Sequence, residues 1–224
     1  MPTPRARHRA APPQTRRRAA EIIDAAARVF AERGYHGAST QDIADVLGIR
    51  QASLYYYFAS KEDALAEVCM LGVEGFVERA AAIAASDRSA AEKIAALVAA
   101  HLAPLGDRRD YVRVFLRERG HLPDASRKRV GRLSRKLERI IESTFAAGIA
   151  GGELRADLDA RLATLALLGM CNAVQAWLPV EPARSVEEVS AAFAALIMDG
   201  ARAAPSPRRA GVPRRSMAAR SIGR

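Results

Sequence analysis

Apolar residues along this chain recur at three- and four-residue steps, with no convincing run of strict alternation. That spacing lines them up on one face of an α-helix. Ile22, Ile23, Ala26, Val29 and Phe30 predict a helix over about residues 16–33, ended by Gly34 at C′. Two short helices follow. Ser39 to Asp42 has the form of a capping box, with Asp in place of the usual Glu, and Ile43, Val46 and Leu47 face inward. Gly48 breaks this element, and a second short helix covers about residues 51–57. Ser60 and Asp63 cap a long helix to about residue 84, with Leu65, Val68, Cys69, Gly72 and Phe76 on its face. Further helices are expected over about residues 89–105, 108–119, 124–149, 158–178 and 186–202. The fold class is therefore all-α, with about nine helices. The segment 158–178 is apolar on nearly every side, which calls for burial on all sides. Ser185 and Glu188 form a capping box at the start of the last helix.

Charge changes this picture at the ends only. The net charge is +10, yet Arg5, Arg7, Arg9, Arg16, Arg17 and Arg18 crowd residues 1–20, which hold no acid. Seven more arginines and no acid lie in residues 201–224. The stretch between is slightly acidic. Residues 1–15 and 204–224 are rich in Pro, Arg and Ala without apolar periodicity, so they are expected to be a disordered basic arm and a disordered basic tail. The arm could add phosphate contacts to a nucleic-acid complex.

Chemistry narrows the function classes. Cys69 and Cys171 stand far apart, with no CxxC and no metal spacing, which suits buried thiols in a reducing cytoplasm. No apolar run of about 18 residues is evident, so no membrane span is expected. The basic N-terminus has no apolar segment behind it and does not read as a signal peptide. No GxSxG, HExxH or Walker A pattern occurs, and no cofactor or metal site is expected, so the chain does not read as an enzyme. Of the histidines, His8, His36 and His121 are scattered, while His101 lies on an apolar helix face as a core or pocket residue.

The two short helices carry the functional signal. A helix-turn-helix needs a small residue where its helices cross, a turn residue that accepts positive φ, and an apolar anchor facing back. Counting from Thr40, the fifth position is Ala44, the ninth Gly48 and the fifteenth Leu54. Arg50, Gln51, Ser53, Tyr55 and Tyr56 then point outward, where the second helix would enter the major groove.

The stretch RAAEIIDAAARVFAERGYHGASTQDIADVLGIRQASLYYYFASKEDAL, residues 18–65, resembles the DNA-binding domain of the TetR family. YHGASTQDIADVLGI and SLYYYFASKEDAL are its most diagnostic parts. The resemblance implies a helix-turn-helix domain over residues 16–62 and a ligand-binding and dimerisation domain over 63–203. It implies that Thr40 and Gln41 touch phosphates, Gln41 also reaching toward a base. Arg50, Gln51, Ala52 and Ser53 would face base edges, Gln51 suiting adenine and Arg50 guanine or phosphate. Tyr55 and Tyr56 would lie on the backbone, Lys61 would contact a phosphate at a helix N-terminus, and Tyr35 would pack the end of the first helix and reach a phosphate. The family often has His where Tyr57 stands, which bears on details of readout.

In this family the last two long helices pair with their copies in a homodimer, which sets two recognition helices about 34 Å apart on a palindromic operator. The segment from Phe115 to Trp177 is similar to members that control fatty-acid or steroid breakdown and answer to acyl-CoA thioesters. A basic run (Arg127, Lys128, Arg129, Arg132, Arg135, Lys136, Arg139) could meet CoA phosphates, or be a solvated helix face balanced by Glu118, Glu138 and Glu142. His101, Phe115, Arg119, Arg135, Phe145, Met170 and Trp177 are the candidate ligand residues. The leading expectation is a cytoplasmic repressor released from operator DNA by a small hydrophobic or acyl-CoA-like effector. A lipophilic drug or cation is the alternative, with Glu118 as its counter-ion. An architectural protein that binds DNA through its tails is a further alternative.

Overall fold

Side-chain capping sets where half of these helices begin. Ser39, Ser60, Ser89 and Ser185 each accept the backbone N–H three residues on, and Asp42, Glu92 and Glu188 close reciprocal boxes. The protein is described here by a computed structural model covering residues 13–181 and 183–202. It is all-α among those residues: α1 (Pro13–Gly37), α2 (Thr40–Leu47), α3 (Gln51–Leu54), α4 (Lys61–Ala84), α5 (Ala90–Leu102), α6 (Pro104–Asp107), α7 (Arg109–Glu118), α8 (Asp124–Ala150), α9 (Ala160–Trp177) and α10 (Val186–Ala201). Short 3-10 turns follow α7 at Arg119–His121 and α9 at Leu178–Val180.

Several boundaries depart from the sequence pattern. The first helix starts at Pro13, inside the expected disordered arm, because proline's fixed φ and missing N–H suit a first turn. The rest of that arm and the tail over 204–224 lie outside the described residues. The recognition helix ends at Leu54, and Tyr57 and Phe58 both donate to the Leu54 carbonyl in a tight turn. The segment 89–105 divides at Pro104, which has no N–H to continue the ladder. Val46 is 40% exposed rather than inward, since α2 buries only its Ile43 and Ala44 face.

Two apolar cores fill the molecule. One gathers Ile22, Phe30, Ile43, Leu54, Phe58 and Leu65 with Tyr111 and Phe115 from α7. The other gathers Phe76, Ile94, Leu102, Ile141, Phe145, Leu167 and Val174. α4 belongs to both, its first half in one core and its Phe76–Ala80 end in the other. The core therefore does not divide at residue 62.

By length and composition alone, Ala160–Val180 could cross a membrane, contrary to the expectation that no run would qualify. Its setting is that of a bundle helix: Thr164, Leu167, Cys171 and Val174 are buried against the second core. It is not covered on all sides, however. Leu162 is 63% exposed and Leu165 45%, and α10 likewise leaves Leu196 64% exposed.

Candidate DNA interface and ligand cavity

Gly48 turns α2 into α3 with φ 63° and ψ 34°, and Ile49 N–H returns to the Ala44 carbonyl at 3.1 Å. Ala44 and Leu54 are fully buried, as the crossing of two close helices requires. Outside this crossing, Arg50, Ala52, Ser53, Tyr55 and Tyr56 are exposed on one surface, Tyr56 to 80%. Gln51 is half-buried and donates to Thr40 Oγ1 at 2.7 Å, so the first residues of α2 and α3 are tied together. Gln41 donates to Asp45 at 2.6 Å and is exposed.

Tyr35 and Lys61 sit elsewhere. The α1 helix breaks at Gly34 (φ 69°, ψ 169°), a left-handed φ that glycine adopts without Cβ strain. The break frees the Tyr35 N–H, which donates to Glu118 Oε2 at 2.9 Å at the end of α7. Lys61 Nζ donates to the Tyr35 and Ala38 carbonyls at 2.9 Å each and lies 4.3 Å from the centre of the Tyr35 ring. The Tyr35 hydroxyl donates to Glu62, and its ring stacks on His121 with centroids 5.0 Å apart. The Glu62 hydrogen bond pushes the Tyr35 phenol up to about 12 and holds Glu62 below the usual carboxylate range. Lys61 and Tyr35 thus form a joint between α1, α4 and α7.

A cavity of about 290 Å³ lies deeper, between α4, α5, α7, α8 and α9. Aliphatic and aromatic side chains line most of it, among them Val73, Phe76, Phe115, Leu137 and Leu168. Its polar lining comes from His101, Asn172, Ser134, Glu138 and Arg119. His101 Nε2 bonds Asn172 Oδ1 at 3.0 Å, and its ring stacks on Phe76 at 4.6 Å. Burial holds the imidazole below its ordinary pKa, disfavouring its charged form. Glu138 is paired with Arg161 at 2.8 Å. Arg119 lies over the Phe115 ring at 5.2 Å and has no carboxylate partner within salt-bridge distance among the described residues.

Of the seven ligand candidates, His101, Phe115 and Arg119 line this cavity. Phe145 does not: it is wholly enclosed in the second core, where an α8 face meets its neighbours. Trp177 faces a separate cleft with Arg184 and Phe193 near the α9–α10 corner. Met170 and Arg135 are not among the cavity-lining residues, since α9 and α8 turn other faces toward it. Arg135 is exposed, as are Arg127, Lys128, Arg129, Arg132, Lys136 and Arg139. Arg127 pairs with Asp124, and Arg129 lies 3.9 Å from Glu74. Glu118 is taken up by Tyr35 and by His121 at 3.8 Å, and does not face the cavity. Asn172 and Ser134 went unseen from the sequence; for Asn172 the available signal was an amide, one of two with Gln175, inside the mainly apolar LATLALLGMCNAVQAWL.

Residues 22–68 match the family model described as bacterial regulatory proteins, tetR family, and residues 87–201 match the tetracyclin repressor-like C-terminal domain. The chain is 27% identical over 188 residues to the fatty acid metabolism regulator protein of Bacillus subtilis, covering 84% of this chain and 97% of the relative. It is 27% identical over 184 residues to the HTH-type transcriptional repressor KstR2 of Rhodococcus jostii, covering 82% and 90%. Among solved structures, that of FadR from Bacillus subtilis in complex with stearoyl-CoA has a TM-score of 0.69 at 27% identity, covering 81% of this chain and 98% of that one.

Proposed function

The chain belongs to the TetR family of bacterial transcriptional regulators, and from that premise we propose that it is a homodimeric repressor released from a palindromic operator by an acyl-CoA thioester. The effector binds in the cavity between α4 and α9. One observation carries the choice of ligand: the cavity is mainly apolar, yet Arg119 lies in its wall without a carboxylate partner among the described residues, while its one acid, Glu138, is already paired. Such a cavity suits an apolar chain joined to a polar or anionic head. A lipophilic cation would need a free carboxylate facing it, and Glu118 is turned to the joint at Tyr35 instead. The exposed basic face of α8 offers a track for CoA phosphates, and a structural relative binds stearoyl-CoA.

The DNA-binding unit comprises α1 to α3, with Arg50, Gln51, Ala52 and Ser53 toward base edges and Thr40, Gln41, Tyr55 and Tyr56 toward the backbone. The remaining helices form the ligand-binding and dimerisation unit. Dimerisation joins the exposed apolar faces of α9 and α10 to their copies. A regulator of this kind works in the cytoplasm, where its DNA lies, and both thiols are free and buried. Release follows when the effector favours a DNA-incompetent arrangement of α4 and thus of the two recognition helices. The test is fluorescence anisotropy of the protein on its own upstream intergenic DNA, with and without medium- and long-chain acyl-CoA thioesters. Palindrome-dependent binding that a thioester weakens supports the proposal. Tight binding that no thioester alters sinks the ligand assignment.

A further inference from the structure

The cavity has a rim and a closed end. Arg119, Leu165 and Gly169 line it and are exposed, and a Cβ on Gly169 would meet no neighbouring side chain within 4 Å. Val73, Phe76 and Val112 also line it and are buried. The cavity therefore opens along α9 and the end of α7, and it closes against α4 and the middle of α7. At the closed end the His101 ring is held on two sides. It stacks on Phe76 with centroids 4.6 Å apart, and its Nε2 bonds Asn172 Oδ1 at 3.0 Å. Phe76 in turn belongs to the second core. A wall fixed in this way yields little, because a close-packed core resists the insertion of extra methylenes.

Volume then limits the length of chain that fits. A methylene takes the room of one water molecule in the liquid, about 30 Å³. The cavity measures about 290 Å³, which is room for roughly ten such groups. Each methylene that enters leaves water and adds affinity, about fourfold per group. Once the space is full, a further methylene must push the thioester carbonyl out past the rim or force His101 and Phe76 apart. We infer that the cavity is a ruler for medium-length acyl chains. It prefers a thioester of about ten to twelve carbons over an octadecanoyl one, and Phe76 and His101 set the limit. The inference rests on the cavity being the effector site proposed above. In that placement the thioester lies at the rim beside Arg119, and the methyl end meets the His101 wall.

Isothermal titration of the full chain decides it. The probes are hexanoyl-, octanoyl-, decanoyl-, dodecanoyl-, hexadecanoyl- and octadecanoyl-CoA, each kept below micelle formation, and the free acids of the same lengths. Wild type is expected to gain about fourfold per methylene up to the decanoyl or dodecanoyl thioester, and to bind the octadecanoyl thioester at least about tenfold more weakly than the best. His101→Ala empties the closed end and should move the best length up by about two carbons. Leu168→Trp fills the α9 wall and should move it down by about two. Either variant carries the comparison if the other does not fold by circular dichroism. A different best length in wild type, octadecanoyl-CoA bound as tightly as the best, or a best length that neither variant moves overturns the inference and leaves the thioester reading standing. A medium-chain optimum seen only among the free acids supports the inference and overturns the thioester reading. Binding of no probe overturns both.

Discussion

The backbone N–H of Tyr35 and the carboxylate of Glu118 meet at 2.9 Å, although 83 positions separate them in the chain. One ends the first helix of the DNA-binding unit, and the other ends α7, whose Phe115 lines the cavity one turn earlier. The bond exists because α1 breaks at Gly34 and leaves that N–H without a helical partner. It is a direct mechanical link between cavity wall and DNA-binding unit.

Glu118→Ala should therefore weaken communication more than either binding event. Dodecanoyl-CoA affinity of the free protein is expected to stay within a few-fold. The ratio of operator affinities without and with the thioester should fall toward one, from a coupling on the order of tenfold. Losing the bond should also lower unfolding stability by about 1–3 kcal/mol. Anisotropy titrations at several thioester concentrations, with a urea melt, read both. An unchanged ratio would show that the signal travels through α4 alone.

Lys61 allows a sharp distinction between bolt and phosphate clamp. Its ammonium is committed to two carbonyls of the α1 end. Lys61→Met should lower stability by about 2 kcal/mol while leaving the salt slope of operator binding unchanged. A slope shallower by about one would mean that the ammonium leaves the joint to neutralise a phosphate.

On the recognition surface, Arg50 is exposed and is not among the residues that form salt bridges in the described structure. Arg50→Ala should cost about 1–3 kcal/mol of operator binding and relax the sequence preference at one base pair of each half-site, with no change in melting temperature. A loss that is uniform across operator variants would assign Arg50 to the backbone.

The fold was legible because its signals are local. Ser39, Ser60 and Ser185 with their acids three residues on marked three helix starts, and Ala44, Gly48 and Leu54 marked the turn. The family-model match over residues 22–68 and 87–201 agrees with that reading of the chain as an all-α DNA-binding regulator. The cavity was less legible because it depends on which face each helix turns inward. Periodicity could not tell that Phe145 is sealed in the core while Phe115 reaches the cavity, for both lie on apolar faces. The roles of Lys61 and Glu118 were hidden for another reason. Each depends on a partner far away in sequence: Gly34 marked where the first helix ends, but no local pattern names Glu118 as the acceptor of the N–H left there or the Tyr35 and Ala38 carbonyls as the acceptors of Lys61.

Arg119 provides a test of the cavity that leaves DNA binding alone. Its guanidinium lies over Phe115 and has no carboxylate partner within salt-bridge distance among the described residues, so removing it should strand no acid. Arg119→Met should weaken dodecanoyl-CoA binding by about ten- to a hundredfold, the range of a charge-assisted hydrogen bond. Operator affinity without thioester should not change. Equal loss with a neutral lipophile would instead point to a packing role for the side chain.

The exposed faces of α9 and α10 make the last case. Leu162 and Leu196 are 63% and 64% exposed in a single chain. Removing apolar surface of this kind from water favours association, and a helix pair from each of two chains gives a closed four-helix contact. Leu162→Arg with Leu196→Arg puts four like charges into that contact, so sedimentation should show a monomer where wild type is a dimer. Neither residue packs in the core, so helical content should be retained. Operator affinity should fall by orders of magnitude, because one recognition helix then reads one half-site without the second. A dimeric double variant would place the interface elsewhere. A monomeric variant that still bound the full operator tightly would show that this protein reads DNA one subunit at a time, and the palindromic arrangement would fall with it.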